Sequence, residues 1–376
     1  MKILLSGLTV LTLTTAAAHA GGIDRSSLPL SVLFADGTTA HLGFSSVTPS
    51  VSGAYVAPLT AFGPSTGNMA ENYTTLNFAM KMDFNDKFSG ALMMNQPYGA
   101  DAQYTGGAYT GLEAHWSSSE IAAILKYKVN GGLSVYGGVR NVTSKAEIMI
   151  PALLLGGNSY QAVADSNSQM GYLIGAAYEK PEIALRASLT YQSAITHDFA
   201  TSELFTPPGG EDAKVAAAPI PGGINTITNI TLPQSVTLDV QSGIAANTLL
   251  FGSVKWAEWS KWHVDPAVYR GATGQEVTGF DNDVITYQLG IGRKINDNLS
   301  VFARVGYEAS TGDVASRLAP TDGMQSIGIG GSWTQNNMKI TGGVEYVTLG
   351  DAVDGSGTRF SGNSAMGLGV SVDFSF

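Results

Sequence analysis

The sequence predicts an all-β fold: a transmembrane antiparallel β-barrel of about 14 strands with a short N-terminal plug segment. Three observations predict it. An export signal is followed by no apolar run long enough for a spanning helix, apolar residues recur at every second position in segment after segment, and the connections between those segments alternate between short and long.

The first residues set the compartment. Lys2 precedes an apolar, Leu/Ala/Thr-rich run from Ile3 to Ala18, and Ala18-His19-Ala20 ends it before Gly21. A charged start, a short apolar stretch and small residues at the cleavage position make a secretory signal. The expected organisation is therefore residues 1–20 as signal peptide, 21–37 as plug or hatch segment and 38–376 as barrel. No later stretch approaches the roughly 18 consecutive apolar residues that a membrane helix needs. Only 13% of the chain is charged, 46 residues are Gly and Cys is absent, although the export route leads to a disulfide-permissive compartment. An exported, poorly charged, Gly-rich chain without a spanning helix fits the outer membrane of a Gram-negative bacterium. The net charge of -10 and the lack of any basic cluster exclude nucleic acid as a partner.

A strand facing lipid must be apolar at alternate positions, because successive side chains point to opposite faces. The C-terminal segment shows this most cleanly: Met366, Leu368, Val370, Val372, Phe374 and Phe376 share one face, Gly367, Gly369, Ser371, Asp373 and Ser375 the other. A terminal Phe after such a strand resembles the signal read by the barrel-assembly machinery during biogenesis. Leu76, Phe78, Met80, Met82 and Phe84 repeat the period, and the next strand runs from Phe88 through Leu92 and Met94. Ile121 to Val129 and Leu133 to Val139 flank Asn130-Gly131-Gly132, a hairpin signal. Further strands are expected at Met170–Tyr178, Ile183–Tyr191, Val236–Ile244, Leu249–Trp259, Ile285–Ile291, Leu299–Tyr307, Ile327–Trp333 and Met338–Tyr346, with a first strand near Ala40–Val47.

Connections separate a barrel from a soluble sandwich. Residues 85–87, 130–132, 180–181, 246–247, 296–298 and 335–337 are tight turns, whereas 51–72, 97–115, 141–168, 193–233, 260–283, 309–323 and 350–363 are long. Sorting of loops by end is what periplasmic turns and extracellular loops produce, and closure satisfies every strand's backbone in hydrocarbon. Leu28 to Phe34 is apolar enough to fold back into the lumen, the alternative for residues 21–37 being a disordered periplasmic tail.

With the architecture in place, three short motifs carry a likeness. Gln96-Pro97-Tyr98-Gly99-Ala100-Asp101 ends the third strand, Leu232-Pro233-Gln234-Ser235 opens the eighth, and Trp259-Ser260-Lys261-Trp262 follows the ninth. In their order and spacing the chain resembles the FadL/TodX (OMPP1) family of outer-membrane transporters for long-chain fatty acids and aromatic hydrocarbons. The resemblance implies passive uptake of hydrophobic molecules. It also implies an inward kink of the third strand that releases cargo sideways into the outer-membrane lipid, at Pro97, Tyr98, Gly99 and Ala100. One departure stands out: the Asn-Pro-Ala motif of longer family plugs is absent between Gly21 and Gly43, and Gly22-Ile23-Asp24-Arg25-Ser26-Ser27 is similar to a trimmed subgroup.

Pro97 has a meaning of its own, since it has no N–H to give a neighbouring strand and, with Gly99, favours a bulge or a break. A fatty acid needs apolar walls and a cation for its carboxylate. The inward candidates are Arg140, Arg186, Lys255 and Arg304, each of which could instead pair with lumenal acids such as Glu120, Asp239, Glu308 and Glu345. Apolar loop residues Ile148, Leu153, Leu154, Ile220 and Ile224 could form an outer capture groove or pack loop on loop. Trp256, Trp259, Trp262, Tyr307, Tyr346 and Trp333 read as interfacial girdles. His41, His115, His197 and His263 show no metal-ligand spacing, no phosphate loop is present, and neither metal nor cofactor is expected. Two competing classes remain, a general porin for small polar solutes and a lipid-acting hydrolase built on His41 or His197; the expectation is a channel and not an enzyme.

Overall fold

A computed structural model describes residues 22–209 and 219–376; the signal segment 1–20 lies outside the described residues. The wall is one antiparallel sheet of seventeen ladder segments, in which three strands are each broken once, so fourteen strands go round. We number them β1 (Thr39–Ser50), β2 (Tyr73–Asp83), β3 (Phe88–Asn95, resuming as Gly99–Gln103), β4 (Glu113–Asn130), β5 (Leu133–Ile150), β6 (Ser159–Lys180), β7 (Leu185–Gln192, then Ile195–Thr206), β8 (Ile224–Leu232, then Ser235–Ala245), β9 (Thr248–Ala257), β10 (Val284–Lys294), β11 (Leu299–Glu308), β12 (Met324–Gln335), β13 (Met338–Leu349) and β14 (Ser364–Ser375). β1 pairs with β2 on one side and with β14 on the other, from Thr39↔Ser375 to Ser50↔Ser364, which closes the cylinder. His41 ties this seam from within, its two ring nitrogens facing Asp373 at 2.7 Å and Asn77 at 2.8 Å.

The alternation puts hydrocarbon outside and polar groups inside. Leu76, Leu125, Met170, Ile174 and Ile327 are exposed, while Thr75, Lys81, Glu120, Arg140 and Glu345 are buried. That is the reverse of a soluble protein and the arrangement a lipid-facing wall requires. The short ends use residues suited to tight reversal. Asn130 pairs with Leu133 across Gly131 and Gly132, both at positive φ (57° and 87°), the geometry whose twist matches two antiparallel strands.

The structure corrects the loop boundaries. β4, β5 and β6 run for 18, 18 and 22 residues, well past the roughly 9–11 that cross a bilayer, so most of 141–168 is strand and only 151–158 connects. Much of 193–233 is likewise strand. The outward positions of these extensions, such as Ser117, Ser119, Lys145, Thr196 and Asp198, are polar because they stand above the hydrocarbon, and without an apolar face they carry no readable period. At the long-loop end, Tyr55, Tyr104, Tyr109, Tyr160 and Phe360 join one buried apolar core with Val47, Met324 and Val347.

Residues 22–37 thread the lumen. Leu28, Val32 and Leu33 are buried against Ala79, Met93, Ile124 and Leu173 on the inner faces of β2, β3, β4 and β6. A 3-10 turn, Leu30–Phe34, lies at the level of the short turns.

Candidate functional site: a broken strand beside an apolar pocket

The third strand breaks where Pro97 stands. β3 pairs with β2 from Asp83↔Ser89 to Phe78↔Met94 and goes no further. Against β4 it advances four residues, Asn95 to Gly99, while its partner advances three, Glu120 to Ser117. The extra residue is a bulge, and Ser118 secures it by donating to the Tyr98 carbonyl (2.7 Å) and accepting from its amide (2.8 Å). Upper β2 keeps its ladder to β1 but has none to β3. Below the resulting window the Leu76 amide donates to Gln96 Oε1 at 3.0 Å; above it the Glu71 amide donates to the Asp101 carbonyl at 3.2 Å and the Gln103 amide to the Met69 carbonyl at 2.7 Å. Between these ties Tyr73 lies beside Gly99 and Ala100 without a shared ladder. Pro97, Tyr98, Gly99 and Ala100 thus come together at one wall feature.

The inner edge of the break is taken up by the N-terminal segment. Arg25 N donates to the Pro97 carbonyl at 2.8 Å, Gly99 N to the Ile23 carbonyl at 2.9 Å, and Ser26 Oγ to the Gln96 carbonyl at 2.7 Å. These bonds satisfy groups that the missing stretch of ladder would leave bare. No sequence pattern announces Ile23 or Arg25 as site residues, because their partners lie some seventy positions away.

Two chambers adjoin this edge. One, with about 710 Å³ of empty volume including its mouth, is walled by Ala100, Ala114, Trp116, Ala146, Ile148, Ala164, Ile230, Trp262, Val264 and Phe280, with Ile23 beside them. Among the described residues, its titratable lining is His115 and Glu147. Trp262 lies 5.1 Å from Phe280 and 6.0 Å from Trp116, ring centre to ring centre, and Trp259 packs on Phe280 at 5.5 Å. This overturns the girdle reading for Trp259 and Trp262, which are 1% and 5% exposed. β9 stops at Ala257, a 3-10 turn at Trp259–Lys261 carries both rings inward, and only Tyr307, Tyr346 and Trp333 stay on the outside as expected, with Trp256 half-buried. The excursion 258–283 then forms a flap, with a short hairpin of His263–Val264 on Thr278–Gly279 and a helix, α1, Ala267–Thr273. It stands where upper β8 (Ile224–Leu232) has, among the described residues, a ladder partner on one side only. Glu203, buried on β7, fastens it by accepting from Val268 N (3.0 Å), Tyr269 N (3.2 Å) and the Tyr160 hydroxyl (2.9 Å).

The other chamber, with about 1600 Å³ of empty volume, is polar and lies on the far side of Ile23; Asp24, Glu120, Asp239 and all four candidate cations line it. Arg140 donates to Glu120 (2.7 Å) and Gln192 (2.6 Å), Lys255 to Asp24 (2.8 Å), and Arg304 to Glu345. Arg186 covers the Phe34 ring at 4.7 Å. The capture residues do not form one groove. Ile148 lines the apolar pocket, Leu154 packs against the loop core and Ile220 is buried, whereas Leu153 and Ile224 face outward. Glu71, Asp101 and His115 place three donor atoms within 4.8 Å of one another, a grouping their sequence spacing concealed, but the Arg25 guanidinium already sits on Asp101.

A family model described as outer membrane protein transport protein (OMPP1/FadL/TodX) matches residues 13–374. No curated protein matches the chain by sequence. Among solved structures, a Pseudomonas aeruginosa FadL homologue superposes with a TM-score of 0.73 at 14% identity, covering 98% of each chain. The Pseudomonas putida toluene transporter TodX gives 0.64 at 12%, over 96% of this chain and 97% of its own. CymD, a monoaromatic hydrocarbon channel, gives 0.59 at 14%, over 98% and 99%. At such identities the superpositions speak for the fold, and the family model speaks for membership: this chain belongs to the OMPP1/FadL/TodX family, as an outer-membrane β-barrel channel for hydrophobic compounds.

Proposed function

We propose that the chain passes uncharged hydrophobic molecules of about monoaromatic size through the apolar pocket and releases them sideways, into the outer membrane, at the β2/β3 window. One observation carries the reading. Ile23 and Ala100 line both the apolar pocket and the cleft at the window, while the four candidate cations, Arg140, Arg186, Lys255 and Arg304, lie in the polar chamber. The pocket's walls offer dispersion contacts and aromatic faces from Trp116, Trp262 and Phe280.

A long-chain fatty acid would fit the walls less well. Its carboxylate would sit without a fixed cation and near Glu147, and an unpaired buried charge costs several kcal/mol, on the order of the binding energy itself. The relatives named for toluene and monoaromatic hydrocarbons point the same way. A general porin is disfavoured by family and by the apolar core the outer loops build.

The test is uptake by outer-membrane-competent cells expressing the full chain, with labelled toluene and labelled oleate side by side. Faster toluene uptake than in barrel-free cells, with oleate unchanged, is expected; the reverse order refutes the uncharged cargo. Pro97→Ala gives the β3 backbone an amide donor where it now has none, allowing β3 to zip onto β2. It is expected to abolish uptake while the barrel still assembles, and undiminished uptake refutes the sideways route.

A further inference from the structure

We propose that Arg25 is the latch of the window, the side chain that bars the gap between its two jambs and lets go when the pocket fills. This rests on the reading of the window as the exit. The guanidinium lies over the Tyr73 ring of β2, 4.0 Å from its centre, and Nη2 is ion-paired with Asp101 on the resumed β3. Tyr73 and Asp101 stand on opposite sides of the break, and Arg25 reaches them from the lumen with its own backbone bonded to Pro97. Below the backbone tie from Glu71 N to the Asp101 carbonyl (3.2 Å), where the ladder is missing, Arg25 spans the gap with a cation–π contact and a charge-assisted hydrogen bond.

The surroundings are shaped to this side chain. A Cβ added to Gly99 would come within 2.4 Å of Arg25 Nε and 2.5 Å of its Cδ, so a bare Gly99 is what allows the arm to cross. Asp101 is held for its part by His115 Nδ1, 3.0 Å from its other oxygen. Arg25 and Asp101 are each partly buried, 13% and 25% exposed, which spares the pair much of the screening that weakens surface ion pairs. The grip is nevertheless local and reversible, since a cation–π contact and a partly exposed pair contribute on the order of 1 kcal/mol each.

Coupling to cargo runs through two residues of backbone. Ile23 walls the apolar pocket, and its carbonyl accepts from Gly99 N at the window. A molecule occupying the pocket presses on Ile23, displaces residues 22–26 from the β3 edge and draws Arg25 out of the gap. Shape and occupancy, not charge, then open the exit, as an uncharged cargo requires.

The experiment measures release of the uncharged fluorophore N-phenylnaphthylamine from the purified full chain in detergent, by stopped-flow dilution. Arg25→Ala and Asp101→Ala are each expected to release it about tenfold faster, the factor that corresponds to about 1.4 kcal/mol. Arg25→Lys, which keeps charge but loses the flat stacking surface, falls between. The swapped double variant Arg25→Asp with Asp101→Arg is expected to be slower than either Ala variant, a rescue that a merely structural role would not give. Wild-type release rates in both Ala variants, or a swap as fast as they are, overturn the latch. Pro97→Ala separates the two claims. If it blocks uptake while the Arg25 variants release normally, the window stands and the latch falls; if it leaves uptake intact, the window falls and takes the latch with it.

Discussion

The two halves of the N-terminal segment are held by opposite means. Residues 28–37 are anchored. Leu28, Val32 and Leu33 are buried, Lys81 Nζ donates to the carbonyls of Ala35 (2.7 Å) and Gly37 (2.9 Å), Lys126 Nζ to that of Leu33 (3.1 Å), and Phe34 has Lys126 and Arg186 over its ring at 4.1 and 4.7 Å. Residues 22–26 instead lie along the edge of a broken strand, held by backbone bonds, the Ser26 hydroxyl, the Arg25 arm and the ion pair of Asp24 with Lys255, with Ile23 as their one buried apolar side chain. Apolar burial backed by ammonium groups resists displacement, because removal bares the apolar side chains and takes the carbonyl partners from Lys81 and Lys126, leaving each only its wall carboxylate, Asp83 and Glu179. A short edge pairing exchanges against water at little cost. One stretch of chain thereby joins a fixed stopper below to a movable strip above.

The largest effect should come from breaking the anchor. Val32→Asp puts a carboxylate into an apolar site, which costs several kcal/mol on the order expected for an unpaired buried charge, and expels the lower half from its apolar seat on Ala79, Met93, Ile124 and Leu173. Liposomes carrying this variant should swell rapidly in sugars, whereas Ile23→Asp, which disturbs the upper strip only, should leave swelling slow. Equal swelling would mean that the two halves move as one body.

How far this division could be read beforehand depended on periodicity. Wherever lipid meets the wall, a two-residue repeat records which face is which, so the strands, their even number and the short turns were legible from Met366 through Phe376 and from segments like it. Pro97 was legible too, because a missing N–H breaks a ladder in any context. The strand extensions above the membrane were not, since both of their faces meet polar surroundings. The inward turn of Trp259 and Trp262 was hidden because an aromatic after an apolar strand looks the same whether the strand continues along the lipid or leaves the wall. The grip of Arg25 on Tyr73 and Asp101 depends on where β3 bends in three dimensions, and no local spacing encodes it.

A middle-sized effect is expected at Glu203, which belongs to the upper region and has no contact with the anchor. Glu203→Ala strands the amides of Val268 and Tyr269 and the hydroxyl of Tyr160, at about 1–3 kcal/mol for each buried group left unsatisfied. Hydrogen exchange across residues 263–279 should rise by an order of magnitude or more, about one tenfold step per 1.4 kcal/mol, while residues 28–37 keep their protection. If protection of 28–37 falls with it, flap and anchor are coupled through the wall and the pocket is not an independent unit.

The smallest effect is expected at Arg186, and it bears on which way cargo leaves. This side chain lines the polar chamber and covers one side of Phe34, with Lys126 over the same ring. Arg186→Gln removes one of two cations from that ring, a contact worth about 0.5–2 kcal/mol, and leaves the burial of Val32 and Leu33 and the bonds from Lys81 in place. The anchor should therefore hold, with sugar swelling unchanged. Toluene uptake should change by less than twofold, because a cargo that exits at the window between Tyr73 and Gly99 never enters the chamber Arg186 lines. A marked loss of toluene uptake with swelling still slow would put the chamber on the route. Cargo would then pass down the lumen beside the anchor, the movable strip would face inward instead of sideways, and Arg186 would be a station on the path and not a brace for Phe34.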